Sequence, residues 1–331
     1  MLLDREFPPD VRVENEIEIL REEGVAVTLL AFTRSGRPQH ETLANGVDLH
    51  RAPISSLVYK SSVACLKHPM YFNFWRSAVR RVLASTIVHA IHVHDLPLAR
   101  VGREIADEIG VPMVLDLHEN WPYMLDVAEH TNSWLGRLLS SPIRWRRYER
   151  EMVTAADAVV TVVDEMRSRI IALGADADRV VVYQNVPDQS MLEAVLPKVD
   201  GEFFTLLYAG GINIHRGLQV VLDAIGLSKQ QLGPFKFRVL GDGRYLSRLR
   251  KQVTELDIER LVEFAGWVDQ REVIRTLAEA DLAIVPHLRN TQNDHSSPNK
   301  IFQYMLSGTA VITSDCLSLK RVVTETGAGL V

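Results

Sequence analysis

Leu206-Leu207-Tyr208-Ala209-Gly210-Gly211-Ile212-Asn213-Ile214-His215-Arg216-Gly217-Leu218 is an apolar run that stops on two glycines and, a few residues later, starts a helical period. A strand that ends in glycine and turns into a helix is the building unit of a parallel α/β sheet. The glycines let the backbone approach a ligand, and the helix start offers free N–H groups to an anion. Arg216 stands where it could add a full positive charge to a phosphate. The other reading of these residues is a plain strand–helix turn with a surface arginine.

Outward from this stretch the alternation repeats. After the strand at residues 204–209, strands are expected at 236–240, 261–264, 282–285 and 310–313, with helices at 218–230, 245–256, 270–280 and 300–307. Upstream, strands are expected at 25–32, 90–94, 112–117, 158–163 and 180–183, and helical spacing at 11–23, 98–109 and 152–156. Near residues 187–201, Pro187, Pro197 and several charges interrupt both periods. The expected fold is α/β: two Rossmann-like domains, 1–190 and 201–331, with parallel sheets facing an interdomain cleft where a ligand would sit. Both ends read as cut. Met1 to Asp4 looks like the tail of a first strand, and Gly329-Leu330-Val331 like a strand just begun, leaving the second domain incomplete.

A chain of 331 residues has room for two cores, and 47% apolar with 24% charged residues excludes a disordered or fibrous protein. Lys+Arg number 37 against 42 Asp+Glu, a formal charge of -5, which argues against general nucleic-acid binding. Cys65 and Cys316 are too few for a disulfide framework and too far apart for metal-ligand spacing, so a reducing compartment is expected. The N-terminus, Met1-Leu2-Leu3-Asp4-Arg5-Glu6, has no signal-peptide core, and no apolar run approaches the roughly 20 residues a membrane helix needs. The expected location is the cytoplasm or the cytosolic face of a membrane.

Three further segments invite chemistry. Gly241-Asp242-Gly243 closes a strand, but Leu246 stands where the dinucleotide fingerprint has its third glycine, which disfavours a dehydrogenase. In Asn293-Asp294-His295-Ser296-Ser297-Pro298-Asn299-Lys300-Ile301-Phe302-Gln303-Tyr304-Met305, Pro298 suits the first turn of a helix and Ser296 or Ser297 its cap. Free amides there plus Lys300 make a second anion site, and Gln303 lies one turn on, near the face of Asn299. Two anion sites in one domain suggest a diphosphate; a capped core helix without a ligand is the alternative.

In the first half, Asp116-Leu117-His118-Glu119-Asn120-Trp121 closes a strand, with His118 and Glu119 expected at the cleft edge. His89, His92, His94 and Asp95 tempt a metal reading, but no further ligand stands at a sensible spacing, so no metal is expected. Two basic stretches carry aromatics: Arg51, Lys60, Lys67, Arg76, Arg80 and Arg81 with Tyr71, Phe72, Phe74 and Trp75, and Arg137, Arg144, Trp145, Arg146, Arg147 and Arg150. They suit either contact with anionic lipid or a phosphate-bearing acceptor, or solvated helix faces whose aromatics lie in the core.

Together these segments resemble a retaining family 4 (group 1) glycosyltransferase of the GT-B fold, over nearly the whole chain and in the expected order. Phe7-Pro8-Pro9-Asp10-Val11-Arg12-Val13 is similar to the family's first loop and helix, Asp116 to Glu119 to its N-domain active-site loop, and Tyr183-Gln184-Asn185-Val186-Pro187 to its interdomain crossover. The Gly210 to Gly217 stretch, Phe264-Ala265-Gly266-Trp267-Val268 and Ser297 to Met305 are similar to the donor-binding half.

The resemblance implies a nucleoside-diphosphate sugar donor, held mainly by the second domain, and a carbohydrate or lipid-linked acceptor at the first. It implies cell-surface polysaccharide or glycolipid synthesis, with no cofactor or metal required. Carried over by position, Arg216 and Lys300 would neutralise the leaving diphosphate and His118 would contact the transferred sugar. Gly210, Gly211, Gly241, Ser297, Pro298 and Asn299 would border the donor, Gly266, Trp267 and Val268 would line the base, and Gln303 would hold the ribose. Retention in this family is thought to involve same-face attack by the acceptor, so the paired carboxylates of a glycosidase are not needed.

Two departures stand out. His295 and Gln303 occupy the places of the family's two glutamates, and Gly211 the place of its arginine. His295, Gln303 and the apparent truncation leave room for a catalytically silent binding subunit; a GT-B sugar-nucleotide epimerase is the other alternative.

Overall fold

The computed structural model describes residues 1–127, 140–185, 187, 195–199 and 201–331. They form two compact units, Met1–Gln184 and Asn185–Val331.

In the first unit the strands are β1 (Leu2–Leu3), β2 (Thr28–Thr33), β3 (His40–Thr42), β4 (Asp48–Pro53), β5 (Ile91–His94), β6 (Met113–Leu117), β7 (Ala158–Thr161) and β8 (Val180–Val182). Their order is β3-β4-β2-β1-β5-β6-β7-β8, parallel except for the β3–β4 pair. β2 shows why the sheet is covered twice. Leu30 and Phe32 enter one core with Trp75 and Val93, while Leu29 and Ala31 enter another with Val13 and Ile17 of the helix Val11–Glu22.

Four elements here go beyond the expected strands and helices. β3 and β4 are polar strands without an apolar run to announce them. β4 turns Leu49 and Arg51 inward, and the Arg51 guanidinium donates to the carbonyls of Phe7 and Pro38, both at 2.9 Å, and to the Glu41 carboxylate at 2.5 Å. The first basic–aromatic stretch is the helix Met70–Leu83, with Tyr71, Phe72 and Trp75 buried. Its Arg76 and Arg80 pair at 2.7 Å with Glu104 and Glu108 of the helix Ala99–Ile109. The second is the helix Pro142–Ala155, of which the apolar spacing at 152–156 marks only the end. It buries Trp145, Tyr148 and Met152 and leaves Arg144, Arg146, Arg147 and Arg150 outside. Arg137 and Val186 lie outside the described residues.

The second unit is β9 (Phe204–Ala209), β10 (Phe235–Leu240), β11 (Val262–Gly266), β12 (Leu282–Val285), β13 (Ala310–Thr313) and β14 (Gly329–Leu330), all parallel in the order β11-β10-β9-β12-β13-β14. Leu206 and Tyr208 of β9 face one core, Leu207 and Ala209 the other. The helices Leu218–Ser228, Leu246–Glu255, Gln270–Glu279 and Asn299–Leu306 stand where helical spacing places them. Thr291–Asp294 and Leu317–Thr326 are additional helices.

One detail is corrected. Pro298 is the N-cap of Asn299–Leu306, with extended ψ of 127°, and not part of its first turn. No side chain caps it, because proline at the N-cap position carries no side-chain acceptor. The Ser296 and Ser297 carbonyls accept from Ser318 Oγ and Asn185 Nδ2.

From β9 the chain builds β10 and β11 on one side, then crosses to β12 on the other. The crevice outside the carboxyl ends of β9 and β12 is a topological switch point, the general ligand position in such sheets. Among the described residues no helix is long and apolar enough to cross a membrane.

Candidate functional site

Three parallel strands of the second unit end in glycine side by side. Gly210 N–H donates to Leu240 O at 2.8 Å, and Gly241 N–H to Gly266 O at 2.6 Å. At Gly241 and Gly243 the packing leaves no room for a side chain. A Cβ on Gly241 would meet Gly210 O at 2.0 Å, and one on Gly243 would meet Ile212 O at 2.0 Å. Gly210 and Gly241 also hold φ of 139° and 138°, where L side chains are strained. Gly211 is exposed at the rim, its carbonyl accepting from the Tyr208 hydroxyl at 2.7 Å.

Across the switch point the helix Asn299–Leu306 delivers Lys300. Its Nζ is buried, has no hydrogen-bond partner and sits 3.7 Å from the centre of the Tyr208 ring. A Cβ on Gly210 would lie 2.5 Å from that nitrogen, so the ammonium faces the Gly210 backbone directly. Arg216 ends the short turn Ile214–Arg216, which Gly217 closes with φ of 78° against Pro286 O. Its Nη1 is 3.1 Å from His287 Nε2, and its buried Nε has no partner.

The electrostatics of this corner are one-sided. Burial, reinforced by Arg216, holds the Lys300 ammonium pKa well below its usual range. Burial with both cations also pushes His287 well down and His215 to about 4. Each cation is felt by the same two histidines, and among the described residues neither has a carboxylate within ion-pair distance. A buried cation with only neutral neighbours is costly unless an anion arrives.

In the first unit, β6 ends with Asp116-Leu117 and is followed by His118. The His118 N–H donates to Asp95 Oδ1 at 3.2 Å. Its ring does not emerge as expected: the side chain is 8% exposed and Nε2 turns inward to Asp116 Oδ2 at 3.0 Å and His94 Nδ1 at 3.1 Å, while Glu119 is exposed. Asp116 is fully buried. Burial opposes its ionisation, but His118 and the bonds from His92 and His94 hold its pKa well below the carboxylate range. Burial lowers the His118 pKa, and Asp95 and Asp116 more than offset this to raise it. Arg12 and Glu16, one helical turn apart, close the cluster from the helix Val11–Glu22.

Residues 9–185 match the glycosyl transferase 4-like domain and residues 204–331 the glycosyl transferases group 1 family. The chain belongs to the family 4 group 1 glycosyltransferases. The amylovoran biosynthesis glycosyltransferase AmsK of Erwinia amylovora is 24% identical to it over 162 residues, 49% of this chain and 40% of AmsK. The chain spans about two fifths of the length of such curated relatives. Among solved structures, sucrose-phosphate synthase from Thermosynechococcus elongatus aligns with a TM-score of 0.73 at 15% identity, covering 97% of this chain and 79% of that one. Anabaena HepE in complex with UDP and glucose aligns at 0.65 and 16% identity, covering 97% and 82%. These likenesses show the GT-B type of fold, two α/β units with parallel sheets.

In this family member the strand ends and the helix start bring Gly210, Gly211, Gly241, Gly266, Ser297, Pro298, Asn299, Lys300 and Arg216 to one end of the second sheet. Gln303 lies one turn along from Asn299 on the same helix. Trp267 is 78% exposed, whereas Val268 packs against the core. His118 belongs to the other unit. Sequence reasoning missed Tyr208 and His287, the neighbours of the two cations. Their only trace was strand alternation at Tyr208 and the end of a strand just before Pro286-His287. It also missed that helix Val11–Glu22 and β6 place Glu16, Asp116 and His118 around His94.

Proposed function

We propose that this glycosyltransferase transfers a sugar, with retention of anomeric configuration, from a nucleoside-diphosphate donor to an acceptor in cell-surface polysaccharide or glycolipid synthesis. The observation that carries the reading is the Lys300 ammonium, buried without a counterion against the Gly210 backbone with Arg216 beside it. Such a corner suits a diphosphate that gains negative charge as the glycosidic bond to it breaks. Preorganised donors aimed at developing charge are worth roughly 3–4 kcal/mol each. On this reading Arg216, Lys300 and the amides of Asn299 and Lys300 stabilise the leaving group. The exposed Trp267 indole and Gly266 border the base, and Gln303 accepts or donates at a ribose hydroxyl as a neutral partner. His118 contacts the transferred sugar through the ring edge that does not face Asp116. The UDP and glucose named with HepE and the polysaccharide named with AmsK are consistent with this reading.

The test is transfer or donor hydrolysis across a panel of sugar nucleotides, comparing the wild-type chain with Arg216→Ala and Lys300→Ala. The expected outcome is turnover with one donor and a loss of rate in both variants far larger than any loss of nucleoside affinity. Equal, small effects on both would remove these residues from the leaving group, and binding without turnover would make the chain a silent binding subunit.

A further inference from the structure

The polar cluster of the first unit brings four side chains of metal-ligand type together. β5 and β6 pair with His94 opposite Asp116, and His118 follows two residues later. His94 Nδ1, His118 Nε2 and Asp116 Oδ2 form a triangle with sides of 3.1, 3.0 and 3.5 Å. A hydrogen bond needs one donor and one acceptor, and each of the two imidazole nitrogens carries either a proton or a lone pair. With Asp116 ionised, as its lowered pKa requires, every placement of the imidazole protons leaves one side with two N–H groups or two lone pairs against each other. A single cation at the centre satisfies all three corners.

The fourth corner is Glu16 Oε2, 3.8 Å from His94 Nδ1. The four donor atoms all lie within 4.8 Å of one another. Zinc bonds of about 2.0–2.2 Å in a tetrahedron set ligand atoms about 3.3–3.6 Å apart, and the triangle sides together with the Glu16 distance bracket that value. A second observation points the same way. Glu16 is nine-tenths buried, yet its Oε2 has no hydrogen-bond partner, and the buried Nε2 atoms of His92 and His94 also lack one. Arg12 serves the outer oxygens, with Nη2 2.8 Å from Asp116 Oδ1 and Nε 3.0 Å from Glu16 Oε1; Nε is also 3.4 Å from Asp116 Oδ2. Outer-shell partners of this kind orient ligating carboxylates.

We infer that Glu16, His94, Asp116 and His118 together ligate one divalent transition metal ion of the zinc type. Two imidazoles and two carboxylates suit that class, and four protein ligands with side chains at most 9% exposed make a closed, structural site. The ion would tie the helix Val11–Glu22 to the ends of β5 and β6. Ligation uses the inward edge of the His118 ring, so the inference stands whether or not the diphosphate reading does.

The probe is cobalt(II), then zinc(II), added to the chelator-treated full chain. The expected result is one equivalent of cobalt per chain, with the intense visible bands of tetrahedral coordination, displaced by zinc. Glu16→Gln keeps shape and volume, and its fold is checked by circular dichroism. It should weaken cobalt binding at least tenfold, whereas His40→Ala with His50→Ala, at the exposed His40–Asp48–His50 group, should leave it unchanged. The inference is overturned by no stoichiometric uptake, by a pale octahedral spectrum, or by tetrahedral bands that survive Glu16→Gln at wild-type affinity. Bands lost only in the His40/His50 variant would also overturn it.

Discussion

Lys300 is the residue on which the donor site turns. Its buried ammonium is held below the ordinary lysine pKa, first by burial and then by Arg216, and a bound diphosphate reverses that by favouring the charged form. Binding should therefore take up protons, and affinity should fall as pH rises from the free-state pKa toward the bound-state one. The linkage to folding has the opposite slope. Between the depressed folded value and the unfolded 10.5 the unfolded chain holds more protons, so unliganded stability rises with pH across that window. Calorimetric titrations of a nucleoside diphosphate in buffers of different ionisation enthalpy should show this uptake, absent in Lys300→Met. Gly210→Ala tests the same contact from the other side. Its Cβ would press on Lys300 Nζ at a φ of 139°, so it should cost about 1–3 kcal/mol of stability and displace the ammonium, seen as lost diphosphate affinity. Wild-type affinity in that variant would contradict the contact. At this scale the sequence showed which residues carry charge and which are glycine, but not which way a ring turns. Asp116 and His118 share a strand face, yet the β5–β6 register that sets His94 against Asp116 is absent from any single stretch.

The helix Asn299–Leu306 and β9 are locked together by a side chain that completes a ladder. Tyr304 is buried, and its hydroxyl accepts from Ala209 N at 2.8 Å, where β12 has already diverged from β9. Tyr304→Phe leaves that amide unsatisfied and should destabilise the protein by about 1–3 kcal/mol. Denaturant titration checks the loss, and an unchanged midpoint would show that Tyr304 does not hold the strand. Elements were legible where burial leaves an apolar period, as in β9, β10, β12 and β13 and the helices between them. They were illegible where polar side chains do the burying. β4 carries Arg51 inward on carbonyl bonds, and Pro142–Ala155 shows arginine on most of its surface. The aromatics of Met70–Leu83 read equally as a surface patch or a core face. The structure turns Tyr71, Phe72 and Trp75 inward and pairs Arg76 and Arg80 with acidic residues.

At the scale of the whole molecule, each unit carries cores on both faces of its own parallel sheet, and each sheet reverses its strand order once. That much follows from an alternation that starts, breaks and starts again along the chain. The placement of Arg216 and Lys300 away from any described carboxylate, in the second unit, needed coordinates. It depends on which carboxylates come near which cations. The account rests on those two cations being an incomplete anion site. The measurement that bears on this most directly is the affinity of the full chain for a panel of nucleoside diphosphates against their parent nucleosides, by titration calorimetry, in the wild type, Arg216→Ala and Lys300→Ala. The account predicts that one diphosphate binds at least tenfold more tightly than its nucleoside and that each variant loses most of that preference. Equal affinity for diphosphate and nucleoside, or a preference that survives in both variants, would contradict it.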